Sequence, residues 1–167
     1  MSKVIFLDID GVLNSNFWET TRTKELSDGT LIDADKIALL GDLVHRTGAR
    51  IILHSGWRFW YDADCKPLRA ESQRLSDMLA AEGMTIAGVT PDLTTEEIRR
   101  TRKFSLVKAQ EILAWVAQHP ETTGWVVLED LDLHNEEVAR HQVMTDQTVG
   151  LTKADVETAV RILDNLF

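Results

Sequence analysis

Two aspartates one residue apart, Asp8 and Asp10, close the apolar run Val4-Ile5-Phe6-Leu7 and are followed at once by Gly11. Carboxylates this close repel when both ionise, and a hard divalent cation with oxygen ligands, Mg2+ above all, relieves that cost. The glycine permits a sharp turn, so the two side chains need not stay parallel; one can attack while the other moves protons. A third carboxylate, Asp130, follows a second apolar run, Gly124 to Leu128, with Glu129 beside it. Three acidic groups converging without a cation would be costly to bury, so the set argues for a metal. Ser55, after Arg50-Ile51-Ile52-Leu53-His54, offers a hydroxyl, and Lys108 or Lys103 a cation, for phosphoryl oxygens. Together these groups suit phosphoryl transfer, in which an aspartate can be the covalent acceptor and the remaining work is positioning and charge neutralisation.

The elements that must carry these groups follow from hydrophobic periodicity. The nearly continuous apolar runs at 3–8, 50–54 and 124–128 predict strands buried on both faces of a parallel sheet. A helix is expected from Asp33 as its cap, with Ile37, Leu40 and Val44 on one face and Gly48 ending it. A second is expected over Pro67 to Glu82, and a third, strongly amphipathic, over Phe104 to Gln118 with Leu106, Ala109, Ile112, Leu113 and Val116 on one side. Met84 to Ala87 and 141–145 read as short strands, Thr94-Thr95-Glu96-Glu97 as the start of a brief helix, and Thr152-Lys153-Ala154-Asp155 as a capping box for the terminal helix. This alternation predicts an α/β fold, an open, largely parallel, Rossmann-like sheet flanked by helices. In such sheets ligands bind beyond the carboxyl ends of the strands, where Asp8, Ser55 and Asp130 all lie.

At 167 residues, with 44% hydrophobic and 27% charged residues, the chain is expected to form one soluble domain over 1–167. No apolar run approaches the roughly 18 residues of a membrane span, and the start of the chain lacks the h-region of a signal peptide; a cytoplasmic location is expected. The single cysteine, Cys65, forms no internal disulfide and has no base among its sequence neighbours. A net charge of -9 disfavours non-specific binding to nucleic acid, although Arg99, Arg100, Arg102 and Lys103 form a dense cationic cluster. That cluster reads either as a solvated helix end or as a guide for a charged substrate.

The same residues resemble the motifs of the haloacid dehalogenase-like (HAD) hydrolases. Val4-Ile5-Phe6-Leu7-Asp8-Ile9-Asp10-Gly11-Val12-Leu13-Asn14 resembles the first motif, Leu53-His54-Ser55 the second, Lys108 the third, and Val126-Val127-Leu128-Glu129-Asp130 the fourth. The resemblance covers essentially the whole chain in the right order. Within the superfamily, Ser55-Gly56-Trp57-Arg58, Ile112-Leu113-Ala114-Trp115 and His119-Pro120 look like a compact, minimal-cap branch similar to the HAD domain of Swiss Army Knife RNA repair proteins. It implies that Asp8 attacks phosphorus to form an aspartyl-phosphate, and that Asp10 protonates the leaving oxygen and then activates water. It further implies that Ser55 and Lys108 hold the phosphoryl oxygens, while Asp8, Asp10 through its backbone carbonyl, and Asp130 coordinate Mg2+. Carbon-halogen-cleaving members lack the second aspartate, so Asp10 points to a phosphatase. Where the fourth motif often begins with Asp, this chain has Glu129, and either Glu129 or Asp132 could assist at the metal.

The remaining residues admit two readings each. Arg58 can pack beneath its loop or fork a substrate phosphate. His54 and His134 read as structural or solvent-facing histidines, and Trp18 or Trp60 could stack a base. The intervals where the family places substrate-selecting caps are short: a flap over 15–32 and a minimal insert over 56–102. An open site of this kind suits a nucleic-acid end or a nucleotide. A small phosphate ester and a non-catalytic regulatory or binding domain are the alternatives.

Overall fold

The computed structural model describes residues 2–14 and 32–165. The elements run β1 (Ser2–Leu7), α1 (Ala34–Thr47), β2 (Arg50–Leu53), α2 (Ala70–Ala81), β3 (Ile86–Val89), α3 (Glu96–Thr101), α4 (Ser105–Gln118), β4 (Thr122–Glu129), α5 (Glu136–His141), β5 (Gln142–Met144) and α6 (Lys153–Leu163). A short 3-10 helix spans Gly56–Trp60. The expected flap falls, apart from Ile32, outside the described residues, as does Trp18.

The five strands form one parallel sheet in the order β3-β2-β1-β4-β5, a Rossmann-like α/β arrangement. From β1 the chain builds outward through β2 to β3, then crosses back to lay β4 against the other side of β1. The strand order therefore reverses between β1 and β4, and ligands in open α/β sheets bind at the carboxyl end of such a crevice. The register sets those ends level, with Leu7 opposite both Leu53 and Leu128.

Burial on both faces explains why β1 reads as continuously apolar rather than alternating. Ile5 and Leu7 enter a core with Leu40, Leu43, Leu75, Leu79, Val156 and Leu163, from α1, α2 and α6. Val4 and Phe6 face the other way, toward Ile112 and Trp115 of α4 and Trp125 and Val127 of β4. The Phe6 ring meets Trp115 and Trp125 edge-on, with centroids 5.3 and 5.9 Å away. Such aromatic pairs contribute about 0.5–1.5 kcal/mol each beyond their buried area.

Local signals place most boundaries. Asp33 caps α1 by accepting from the Asp35 N–H at 2.9 Å, and Gly48 ends it in the left-handed conformation. Thr95 caps α3 and Thr152 caps α6, the latter in a reciprocal box with Asp155. The second helix starts at Ala70 rather than Pro67, because Pro67 pairs in an isolated antiparallel bridge with Tyr61 and Arg69 is the capping residue. β3 lies two residues later than the Met84 to Ala87 expectation, with Met84 buried before it. Two elements escape the sequence reading, the 3-10 helix and α5. Each is under two turns long and is capped by a side chain, Ser55 accepting from the Trp57 N–H and Asn135 from the Val138 N–H, too brief for periodicity to register.

Candidate active site

Asp8 continues β1 by one residue, its N–H donating to the Leu128 carbonyl of β4 at 3.0 Å. This leaves its buried side chain at the switch point. The chain then turns at Gly11, whose φ of +82° suits glycine. A Cβ on Gly11 would stand 2.6–2.9 Å from Asp130 side-chain atoms, so glycine is required for close approach as well as for conformation. The turn is pinned twice: Thr145 Oγ1 donates to the Gly11 carbonyl at 2.7 Å, and the Gly11 N–H donates to Asn14 Oδ1 at 3.0 Å. Asn14 Nδ2 also donates to Asp10 Oδ1 at 3.0 Å. Asp10 is exposed while Asp8 is buried, so the two carboxylates occupy different environments.

Asp8, Glu129 and Asp130 each offer an oxygen within 4.8 Å of the others. Lys108 Nζ donates to Glu129 Oε2 at 2.8 Å and lies 3.7 Å from Asp8 Oδ1. Among the described residues, three carboxylates face one ammonium, which would leave two negative charges uncompensated if all three ionised. The titrations register this. Burial, then Asp8, pushes the Glu129 carboxyl up to about 9, and burial raises Asp8 despite the opposing pull of Lys108. Burial by itself would lower Lys108, but the negative charges of Asp8 and Glu129 outweigh it and raise the group. Buried Asp8 and Glu129 carboxyls that resist ionisation unless positive charge is supplied, with Asp130 beside them, fit a divalent cation held by all three.

His54 lies beneath this cluster, with Nε2 3.5 Å from Glu129 Oε2 and neither ring nitrogen hydrogen-bonded among the described residues. Burial first, then the charges of Lys108 and Arg58, holds its pKa well below the ordinary value, so it packs as a neutral ring. Ser55 follows it, one strand over from Asp8. The Ser55 hydroxyl oxygen accepts from the Trp57 N–H at 3.1 Å, and its proton is not taken by another described residue.

The sequence reading offered Arg58 as a phosphate ligand or as packing; in the structure its guanidinium meets Glu111 and two backbone carbonyls. Arg58 is buried; Nη2 bonds Glu111 Oε2 at 2.8 Å and Nη1 donates to the carbonyls of His54 and Ser55 at 3.1 and 3.2 Å. Its charge is consumed by Glu111. Of the two acids considered beside Asp130, Glu129 stands in the cluster, whereas Asp132 is exposed and accepts from the His134 N–H. The Asp10 carboxylate is not among the grouped oxygens. Trp60 meets Trp57 at a tilt of 47°, with centroids 4.8 Å apart, and carries the Arg69 guanidinium 4.5 Å over its ring, so one face is already covered.

Asp8, Ser55, Lys108 and Asp130 thus come to one end of the sheet, with Asp10 at its outer margin. Asn14, Thr145 and Glu111 were not assigned roles from sequence. Asn14 had a legible signal, a short amide side chain three and four residues after the groups it bonds. Thr145 and Glu111 act across 134 and 53 residues, a separation no local pattern reports.

The family model for the HAD domain in Swiss Army Knife RNA repair proteins matches residues 4–156. Searches of curated proteins and of solved structures give no match. The matched span runs from β1 into the first turn of α6 and includes the acidic centre, Ser55 and Lys108. With the parallel sheet and the Asp8-centred carboxylate cluster at its switch point, this chain belongs to the HAD-like hydrolases, in the family of the HAD domain in Swiss Army Knife RNA repair proteins.

Proposed function

We propose that the protein is a Mg2+-dependent phosphomonoesterase that works through an aspartyl-phosphate and acts on nucleic-acid ends or nucleotides. The observation that carries this reading is the convergence of Asp8, Glu129, Asp130 and Lys108 at the sheet's switch point. A bound Mg2+ would be held by Asp8, Glu129 and Asp130, and would neutralise charge on the transferring phosphoryl group. Asp8 supplies the nucleophilic oxygen: its bond to phosphorus forms as the bond to the ester oxygen breaks. Asp10 gives its proton to that leaving oxygen. In the second half Asp10 takes a proton from water, whose oxygen bonds phosphorus as the Asp8 ester opens, releasing inorganic phosphate. Asn14, bonded to one Asp10 oxygen, keeps this group turned toward the margin of the site. The Ser55 hydroxyl proton and the Lys108 ammonium hold the phosphoryl oxygens.

The choice of substrate rests on the surface around the site. Residues 56–102 add a 3-10 helix and α3 to elements that otherwise serve the sheet. We read these as minimal caps, and the acidic centre as open to a large substrate. Phe59, Leu93, Phe104 and Leu131 are exposed on segments that follow strand ends or open α4, and Arg99, Arg100, Arg102 and Lys103 are exposed on and after α3. The family's association with RNA repair supports a nucleic-acid end over a small metabolite.

Phosphate release from 3'- and 5'-phosphorylated oligonucleotides, nucleotides and sugar phosphates, with and without Mg2+, tests this. Mg2+-dependent turnover of oligonucleotides above the small esters is expected. Neutralising Arg99, Arg100 and Arg102 together should lower oligonucleotide turnover and flatten its salt dependence without affecting an aryl phosphate. Turnover confined to small esters would move the protein to the metabolite phosphatases, and no turnover, with Asp8→Asn indistinguishable from wild type, would leave a binding domain.

A further inference from the structure

Arg58 and Glu111 form a buried ion pair that no step above uses. Removing two charges from water is costly and can outweigh their attraction, so a buried pair stabilises little on balance and what this one supplies is geometry. The Arg58 guanidinium grips the carbonyls of His54 and Ser55 with Nη1, at 3.1 and 3.2 Å, while its own backbone N–H bonds the Ser55 carbonyl at 3.0 Å. Nη2 is held at 2.8 Å by Glu111, whose Oε2 also accepts from the Leu93 N–H at 2.9 Å. Glu111 lies on α4 three residues after Lys108, so the two side chains leave neighbouring positions on one helix surface. Lys108 reaches Asp8 and Glu129 from that helix, and Glu111 reaches back to the turn that carries Ser55.

We infer that Arg58 and Glu111 are positioning residues: they set the Ser55 hydroxyl at a fixed distance from the Lys108 ammonium, so that both meet one phosphoryl group. This rests on the phosphatase reading. The planar fork matters, because a lysine would keep the charge but offer a point donor that cannot grip two carbonyls and a carboxylate in one plane. Misplacement of a positioned group by about 1 Å can cost on the order of a hundredfold in rate.

The test is a pair of double-mutant cycles. Arg58→Lys and Glu111→Gln are each made alone and with Ser55→Ala. kcat and KM are measured on an aryl phosphate at saturating Mg2+, with circular dichroism confirming the fold. Each single change is expected to lower kcat about tenfold in the Ser55 background and by less than about twofold beside Ser55→Ala, because its effect runs through that hydroxyl. Equal losses in both backgrounds would make the pair merely structural and overturn the inference, as would unchanged kcat in both single variants. Glu111→Gln keeps an oxygen acceptor for Arg58 and the Leu93 N–H, whereas Arg58→Lys keeps the charge pair, so either cycle stays readable where the other variant fails to fold. A wild type without turnover defeats the phosphatase reading and this inference together; an active wild type with additive losses defeats only the positioning role.

Discussion

Asp8 sits where burial and function pull in opposite directions. Its carboxyl is raised by desolvation, so an isosteric amide removes a charge the apo protein tolerates poorly. On the proposed phosphatase reading, Asp8→Asn is therefore expected to abolish phosphate release while leaving thermal stability equal to wild type or higher in the absence of metal, as read by activity and by melting in chelator. Gly11 behaves differently, since its constraint is steric. Gly11→Ala places a methyl group against Asp130 and strains a φ of +82°. A loss of about 1–3 kcal/mol in denaturant unfolding is expected, together with weakened Mg2+ affinity because Asp130 must move.

At the scale of elements, α4 does more than cover the sheet. Its apolar side packs Ala109, Ile112 and Trp115 against Phe6 and Val127, and its first turns carry Lys108 and Glu111 to two different parts of the centre. Truncating Glu111 to Ala would leave Arg58 buried without its counter-ion. Breaking a buried pair from one side costs about 3–5 kcal/mol, so Glu111→Ala should be strongly destabilised in urea, well beyond an exposed pair such as Arg46 with Glu157. The loop after β3 should loosen with it, because the Leu93 N–H loses its acceptor; faster amide exchange at Leu93 would report this.

For the whole molecule, the charge balance of the centre couples stability to pH and metal. Burial, then Asp8, pushes the Glu129 carboxyl from its ordinary 4.5 up to about 9, and burial raises Asp8 too. A carboxyl raised on folding contributes stability that is fully present below its unfolded pKa and is lost as pH rises through the folded one. Metal-free protein should thus lose stability between about pH 4.5 and 9, at up to about 1.4 kcal/mol per pH unit for each fully titrating group. Buried neutral His54 acts in the opposite sense, costing stability as pH falls through its unfolded value of 6.5. A divalent cation that binds the ionised carboxylates should stabilise more at pH 8 than at pH 6, measured by melting with Mg2+ and with chelator.

The sequence by itself determined the frame: apolar runs at β1, β2 and β4 could only be strands buried on both faces, and caps at Asp33, Thr95 and Thr152 set the helix starts that followed. It also singled out Asp8, Ser55 and Asp130, because each sits at a strand end that a parallel α/β sheet gathers on one side, and left Lys108 or Lys103 as the cation until the family resemblance chose Lys108. Tertiary structure alone decided which partners those groups meet. That Arg58 is buried against Glu111 depended on a residue 53 positions away; whether Glu129 or Asp132 stood beside Asp130 depended on which carboxylate the sheet buried beside Lys108. Local periodicity reports which face of an element is apolar, whereas partnership across the sheet depends on strand order and register, and at Asp8 those long-range contacts turn a pair of acidic residues into a charged centre that calls for a cation.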